Sequence, residues 1–272
     1  MLKTRIITAA ILIPIVIAFI FLVDTLWFSA LFAVFVVIGA WEWAGLCNTS
    51  EKLKCIYVIF ILLSLSGIYW IDNSLIYSGI ALCGTIYWLF AVVLVVFYQR
   101  KRNLLPRSRA LLMSIGLVLL IPMWSSLTLL KSLEQGAALV MLLMMLIWGA
   151  DTAAYFAGKN WGKRKLANRV SPGKTWEGTL AGIGSSLVIA ACYVIVSNKN
   201  LEDSLMFIGI SVLTVIGSVF GDLMESIVKR EAGQKDSGYI LPGHGGVMDR
   251  IDSLTAASPI FVFALVSSGL IR

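Results

Sequence analysis

One histidine and four cysteines are all that 272 residues offer to much of the familiar side-chain chemistry of enzymes. With His244 alone, no Ser-His-Asp set is evident. The cysteines, Cys47, Cys55, Cys83 and Cys192, form no CxxC pair and no metal-ligand spacing. Most lie within or beside apolar runs, so they read as small buried hydrophobes and imply no disulfide framework. Charge is scarce too: 14% of residues are charged against 59% hydrophobic, more apolar surface than one soluble core can hide. The formal charge of +7 does not point to nucleic acid, because the bases fall in short loops and build no long basic helix or arm. No internal repeat, low-complexity tract or linker rich in Pro, Gly or Ser divides the chain. No convincing small-x-small cleavage site follows the apolar run behind Lys3 and Arg5, so that run reads as a first membrane helix and not as a signal peptide.

What is abundant is uncharged sequence in runs near the roughly 20 residues that span a bilayer. These runs are Ile6 to Val23, Thr25 to Trp41, Cys55 to Ile71, Asn73 to Gln99, Ala110 to Leu130, Gln135 to Ala150, Gly178 to Asn198, Ser204 to Gly221 and Ser253 to Ile271. The pattern predicts an all-α polytopic membrane protein with about nine spans in one membrane domain, residues 1–272. Only Asp24 separates the first two runs. An N-terminus in the cytoplasm leaves just Lys131, Lys199 and Arg272 of the 22 bases outside, as the positive-inside rule requires, and puts the C-terminus outside. Residues 1–135 carry few polar groups and read as scaffold, whereas residues 136–272 carry most of them, with cytoplasmic loops at 158–177 and 225–252. Glu42, inside Trp41-Glu42-Trp43, suits the interface belt at least as well as a catalytic role.

The stretch Ser226 to Asp252 gathers Lys229, Arg230, Lys235, Asp236, His244, Asp249, Arg250 and Asp252 around a glycine cluster. Gly243, Gly245 and Gly246 let the backbone bend sharply and present N–H groups to anionic oxygens. Asp249 and Asp252, at i and i+3 before an apolar run, share one face if a helix begins there, and converging carboxylates suit magnesium. The plainer alternative is that they cap the helix and favour its dipole while the bases mark topology. Asp151, Asp222 and Glu225 stand at the membrane edge, where acids face a bundle interior, a cavity, an ion or water. The loop after Trp148 interleaves Gly158, Gly162, Gly173 and Gly178 with six bases. Ser171-Pro172-Gly173-Lys174-Thr175 reads as a tight turn setting a lysine and hydroxyls before a helix N-terminus, an anion site that lacks the GxxxxGK[ST] of a P-loop. Basic loops and paired acids on one side suit a reaction that joins phosphates, where charge neutralisation and alignment do the work and an already ionised phosphate attacks.

Ser226-x-x-Lys229-Arg230, Lys235-Asp236-Ser237-Gly238, Pro242-x-His244-Gly245-Gly246 and Asp249-Arg250-x-Asp252 together resemble the signature of the bacterial phosphatidate cytidylyltransferase (CDP-diglyceride synthase) family. WGADTAAYFAGK from Trp148, SPGKTWEG from Ser171 and the N-terminal KxRxxTAxxxxP extend the resemblance over the whole length. It implies transfer of CMP from CTP to phosphatidic acid, releasing pyrophosphate, at the cytoplasmic face of the bacterial inner membrane. It further implies a need for Mg2+, with K+ as a candidate second cation and a homodimer as a candidate assembly. Asp222 and Asp249 are similar to the family's metal-binding acids and, with Lys174, Lys235 and Arg250, are the catalytic candidates. Ser171, Lys174, Lys229, Arg230, Asp236, His244, Gly245, Gly246, Asp252 and Asp151 are the substrate-binding candidates. A CTP-dependent polyprenol or phytol kinase is the nearest rival. An ion-coupled transporter fits less well, because the acids gather at one rim and not at mid-membrane. The DGxxAR run of alcohol phosphotransferases that consume CDP-lipids is missing.

Overall fold

The structure is a computed structural model that describes residues 14–100, 108–240 and 245–271. It is a helical bundle: α1 (residues 14–22), α2 (Thr25–Leu46), α3 (Glu51–Ile71), α4 (Ser74–Arg100), α5 (Arg109–Ser132) and α6 (Gly136–Trp161) come first. A small hairpin of β1 (Lys165–Ala167) and β2 (Ser171–Thr175) follows, then α7 (Trp176–Val196), α8 (Leu201–Glu231) and α9 (Met248–Ser267). The eight helices α2 to α9 are each long and apolar enough to cross a membrane, so the chain is an all-α, multi-pass membrane protein. Residues 6–13 of the first expected span lie outside the described residues.

Asp24 makes the tight first turn workable. It ends α1 and caps α2, its Oδ1 accepting from Trp27 N at 2.9 Å. Lys131, at the end of α5, is buried and donates to Ile20 O at 2.5 Å beside the Phe28 ring. That ammonium satisfies a carbonyl at the end of α1 that the helix cannot pair. Several helices outrun their apolar cores. α8 has 31 residues, about 46 Å of helix against a hydrocarbon layer of about 30 Å, so Asp222 to Lys229, expected in or beside a loop, stay helical. α6 likewise continues past Ala150 to Trp161, which puts Asp151 on a helix. The expected loops at 158–177 and 225–252 shrink accordingly, and part of the first is strand.

That strand is the other departure from expectation. The tight turn falls at residues 168–170, closed by Val170 N donating to Ala167 O at 3.1 Å, so Ser171 to Thr175 form β2 paired antiparallel with β1. Asn168 supplies the turn chemistry, and Pro172 sits exposed in a two-stranded ribbon where a missing N–H is tolerated. Thr175 then caps α7 through Gly178 N at 3.1 Å.

α9 is the most enclosed span, 67% buried against 17% for α3 and for α7, and α4, α5 and α8 pack around it. Gly221 sets the α8–α9 approach: a Cβ there would come 2.6 Å from Asp252 O, so the two helices cross at backbone contact. The side-chain contacts sort the helix ends into two rims. Lys131, Ile20 and Thr25 meet at one. At the other, Glu42 meets the start of α9, Tyr98 meets Glu231, and Lys174 meets Asp222.

Candidate active site

Helical spacing puts Asp222, Glu225, Ser226 and Lys229 at i, i+3, i+4 and i+7, on the face of α8 that meets the first turn of α9. Lys229 is the hub. Its Nζ lies 3.1 Å from Glu225 Oε2 and 2.5 Å from Asp249 Oδ1. The other oxygen of Asp249 accepts from Ser237 N at 2.9 Å, Ser237 Oγ at 2.9 Å and Gly246 N at 2.8 Å. Asp249 therefore has both oxygens engaged and staples the loop that precedes α9. Gly245, at φ 82°, is required here, because a Cβ would lie 2.6 Å from Asp249 Oδ2.

Beneath that loop lies a residue that sequence reasoning left between interface and catalysis. Glu42 of α2 is 5% exposed; its Oε1 accepts from Val247 N at 3.0 Å, and its Oε2 from Met248 N at 2.8 Å and Ser237 Oγ at 3.1 Å. It caps the start of α9 from another helix. Gly238 and Gly246 close over the carboxylate, where a Cβ would fall 2.3 Å and 2.5 Å from its oxygens. An acid inside an apolar run was the available signal; its partner, a helix start some 200 residues away, was not.

A second group is open. Lys174 Nζ pairs with Asp222 Oδ2 at 2.8 Å, while Asp222 Oδ1 accepts from Ser226 Oγ at 3.1 Å. Asp151 on α6 stands near enough to interact electrostatically with both Lys174 and Asp222. The side chains of Asp222 and Lys174 are 31% and 23% exposed, against 7% for Asp249 and 1% for Glu225. The cluster thus has an open half, reachable by a ligand, and a closed half built around Lys229 that holds the loop in place.

The remaining candidates divide likewise. Arg230 donates from Nε to Val170 O at 3.3 Å and from Nη1 to Gln234 O at 3.2 Å, tying the hairpin to the α8–α9 loop. Ser171 is half-buried at the start of β2, and Lys235, Asp236 and Arg250 are exposed on the same rim. Asp252 stands beside Glu225 on the inner side. His244, with Pro242 and Gly243, lies outside the described residues. Cys47, buried just past α2, has its thiol pushed up to about 11 by desolvation and is inert at neutral pH.

Residues 3–268 match the model of the Cytidylyltransferase family. The chain belongs to that family. Proteins named phosphatidate cytidylyltransferase are among its relatives. One from Pseudomonas aeruginosa is 40% identical over 270 residues, covering 99% of this chain and 98% of the relative. One from Haemophilus influenzae is 36% identical, covering 97% and 98%. One from Bacillus subtilis is 42% identical over 139 residues, half of each chain.

For a cytidylyltransferase, the described residues set a lysine, Lys174, at the open side of the rim. Among the described residues no three His, Cys, Asp or Glu side chains converge into a ready-made metal cage. That suits Mg2+, which takes one or two carboxylates and fills its octahedron with water and substrate phosphate. Two observations fit it: Asp222 is partly open, and Glu225 Oε1 is buried with no hydrogen-bond partner beside the Asp252 carboxyl. Two carboxyls facing each other at burial are an arrangement that a shared proton or a cation relieves. Asp249, the other acid expected to hold the metal, has Lys229 Nζ on Oδ1 and the Ser237 and Gly246 donors on Oδ2.

Proposed function

We propose that the protein transfers CMP from CTP to phosphatidic acid, giving CDP-diacylglycerol and pyrophosphate, at the cytoplasmic face of the bacterial cytoplasmic membrane. The observation that carries this reading is the open Lys174–Asp222–Asp151 group at one rim of a membrane-spanning bundle, in a chain similar over its whole length to phosphatidate cytidylyltransferases. One substrate is a lipid whose phosphate rests at headgroup depth, and the other is a water-borne polyanion. A polar site where long helices emerge from hydrocarbon meets both. The positive-inside pattern assigns that rim to the cytoplasm, with the C-terminus outside.

A phosphatidate oxygen attacks the α-phosphorus of CTP in line. The new P–O bond forms as the bond from the α-phosphorus to the bridging oxygen breaks, and the electron pair leaves with pyrophosphate. The attacker's second pKa is about 6, so it arrives already ionised and needs no strong base. Lys174 meets phosphate oxygens at the open side, and Lys235, Arg250 and Arg230 line the approach from the loop; His244 and the Gly245–Gly246 backbone are the remaining phosphate contacts. Asp222 and Asp249 would hold Mg2+, which would neutralise charge on phosphate oxygens when bound. K+ is the candidate second cation, and a homodimer the candidate assembly.

Purified protein incubated with α-labelled CTP, phosphatidic acid and Mg2+ should yield chloroform-soluble label and pyrophosphate. Release of CDP, with the lipid gaining an unlabelled phosphate, would replace this reading with a CTP-dependent lipid kinase.

A further inference from the structure

Beside the closed half of the cluster is a cavity of about 530 Å3 that the phosphate chemistry leaves unused. Trp41 and Glu42 at the end of α2, Lys54 at the start of α3, and Gln234, Ser237 and Tyr239 of the α8–α9 loop line it. Its size is that of a small-molecule site, and its walls are mixed. An indole offers a flat face. The carboxamide of Gln234 offers edge hydrogen bonds, and Lys54, held by Glu51 at 2.7 Å and lying 5.4 Å over the Trp41 ring, is the only cation among the described lining residues. An acyl chain would want none of these polar groups. A heterocycle with a stackable face and a donor–acceptor edge wants all of them.

The cavity also adjoins the phosphate-handling residues. Ser237, on its wall, bonds both Glu42 and Asp249, and Asp249 bonds Lys229. Ser237 thus joins the wall of the cavity to the Asp249–Lys229 side of the cluster. We propose that this cavity seats the pyrimidine nucleoside half of the nucleotide, with Trp41 under the base and Gln234 at its edge. Glu42, whose oxygens are taken by Val247 N, Met248 N and Ser237 Oγ, holds the floor of the cavity in place. This inference rests on the CTP-dependent reading above and specifies where its base binds.

The test uses the full chain in detergent, with Trp41→Ala and Gln234→Ala made separately. Loss of a stacking or edge contact should raise KM for CTP by about tenfold while KM for phosphatidic acid stays within about twofold. Inhibition by added CMP, competitive against CTP, should weaken by the same factor in each variant. Gln234 is exposed, so its variant folds and decides the matter alone if Trp41→Ala does not. KM for CTP unchanged in Gln234→Ala, or the two KM values rising together, overturns the assignment. A wild-type protein that makes no lipid-linked cytidine defeats the underlying function instead.

Discussion

Replacing Glu42 by Ala removes one buried carboxylate from a helix that carries no other part of the cluster, yet it should damage both stability and turnover. Two backbone donors, Val247 N and Met248 N, lose their acceptor, while Ser237 Oγ is left with Asp249 alone. A buried donor left unpaired costs about 1–3 kcal/mol. Water entering the vacated space recovers part of that, so a net loss of about 3 kcal/mol is expected. For a chain of this size that corresponds to a fall in Tm of roughly 6–10 °C. Glu42→Gln keeps one acceptor oxygen but turns an amide N–H2 towards backbone donors, and should recover only about half of the loss. Below the new Tm, kcat should fall further than KM for phosphatidic acid rises, because Ser237 and Gly246 no longer hold Asp249 against Lys229. Thermal unfolding in detergent and steady-state cytidylyl transfer read the two effects. A Glu42→Ala protein that melts within about 1 °C of wild type and turns over normally would refute the argument that this carboxylate organises the loop.

Other perturbations separate the closed half from the open one. Asp249→Asn puts an amide against the donors Ser237 N and Gly246 N and should lower Tm as well as activity, by about 2–4 kcal/mol of stability, in circular dichroism melts. Lys229→Met strands Glu225 and Asp249 at burial and should destabilise by about 3–5 kcal/mol, visible as loss of monodisperse protein on gel filtration. Gly246→Ala drives a methyl against Glu42 Oε2 and Ser237 Oγ and should mimic Glu42→Ala in both assays. Removing divalent cations with chelator should stop transfer, and Mg2+ should restore it, with Tm little changed in the absence of nucleotide, since no cage of protein ligands is ready-made among the described residues.

The spans were legible because hydrocarbon imposes a length and forbids charge, and that pattern needs no partner to be read. Helix ends were less legible: uncharged runs stop where charge begins, but α6 and α8 do not, since a helix leaving the bilayer keeps its backbone bonds in water. The hairpin was hidden for a related reason, as Pro172-Gly173 reads locally as a turn while Asn168, four residues before Pro172, in fact supplies it. In the site, the sequence put Asp222 and Glu225 at the membrane edge and Lys229 in the following loop, and the motif spacing carried the family; that one helical face of α8 holds all three came from the structure. The sequence did not reveal which acids were open. That depends on contacts across the bundle, Lys174 to Asp222 and Glu42 to the start of α9, which no local pattern encodes.

The central claim is that the open Lys174–Asp222 pair is where the phosphates meet. Its most direct measurement is the rate of lipid-linked cytidine formation by Asp222→Asn, in protein shown by melting to be as stable as wild type. Removal of that charge should lower kcat by about 10²–10³-fold or more, because it acts where charge is neutralised during transfer. A folded Asp222→Asn protein whose kcat stays within about tenfold of wild type would place the chemistry elsewhere.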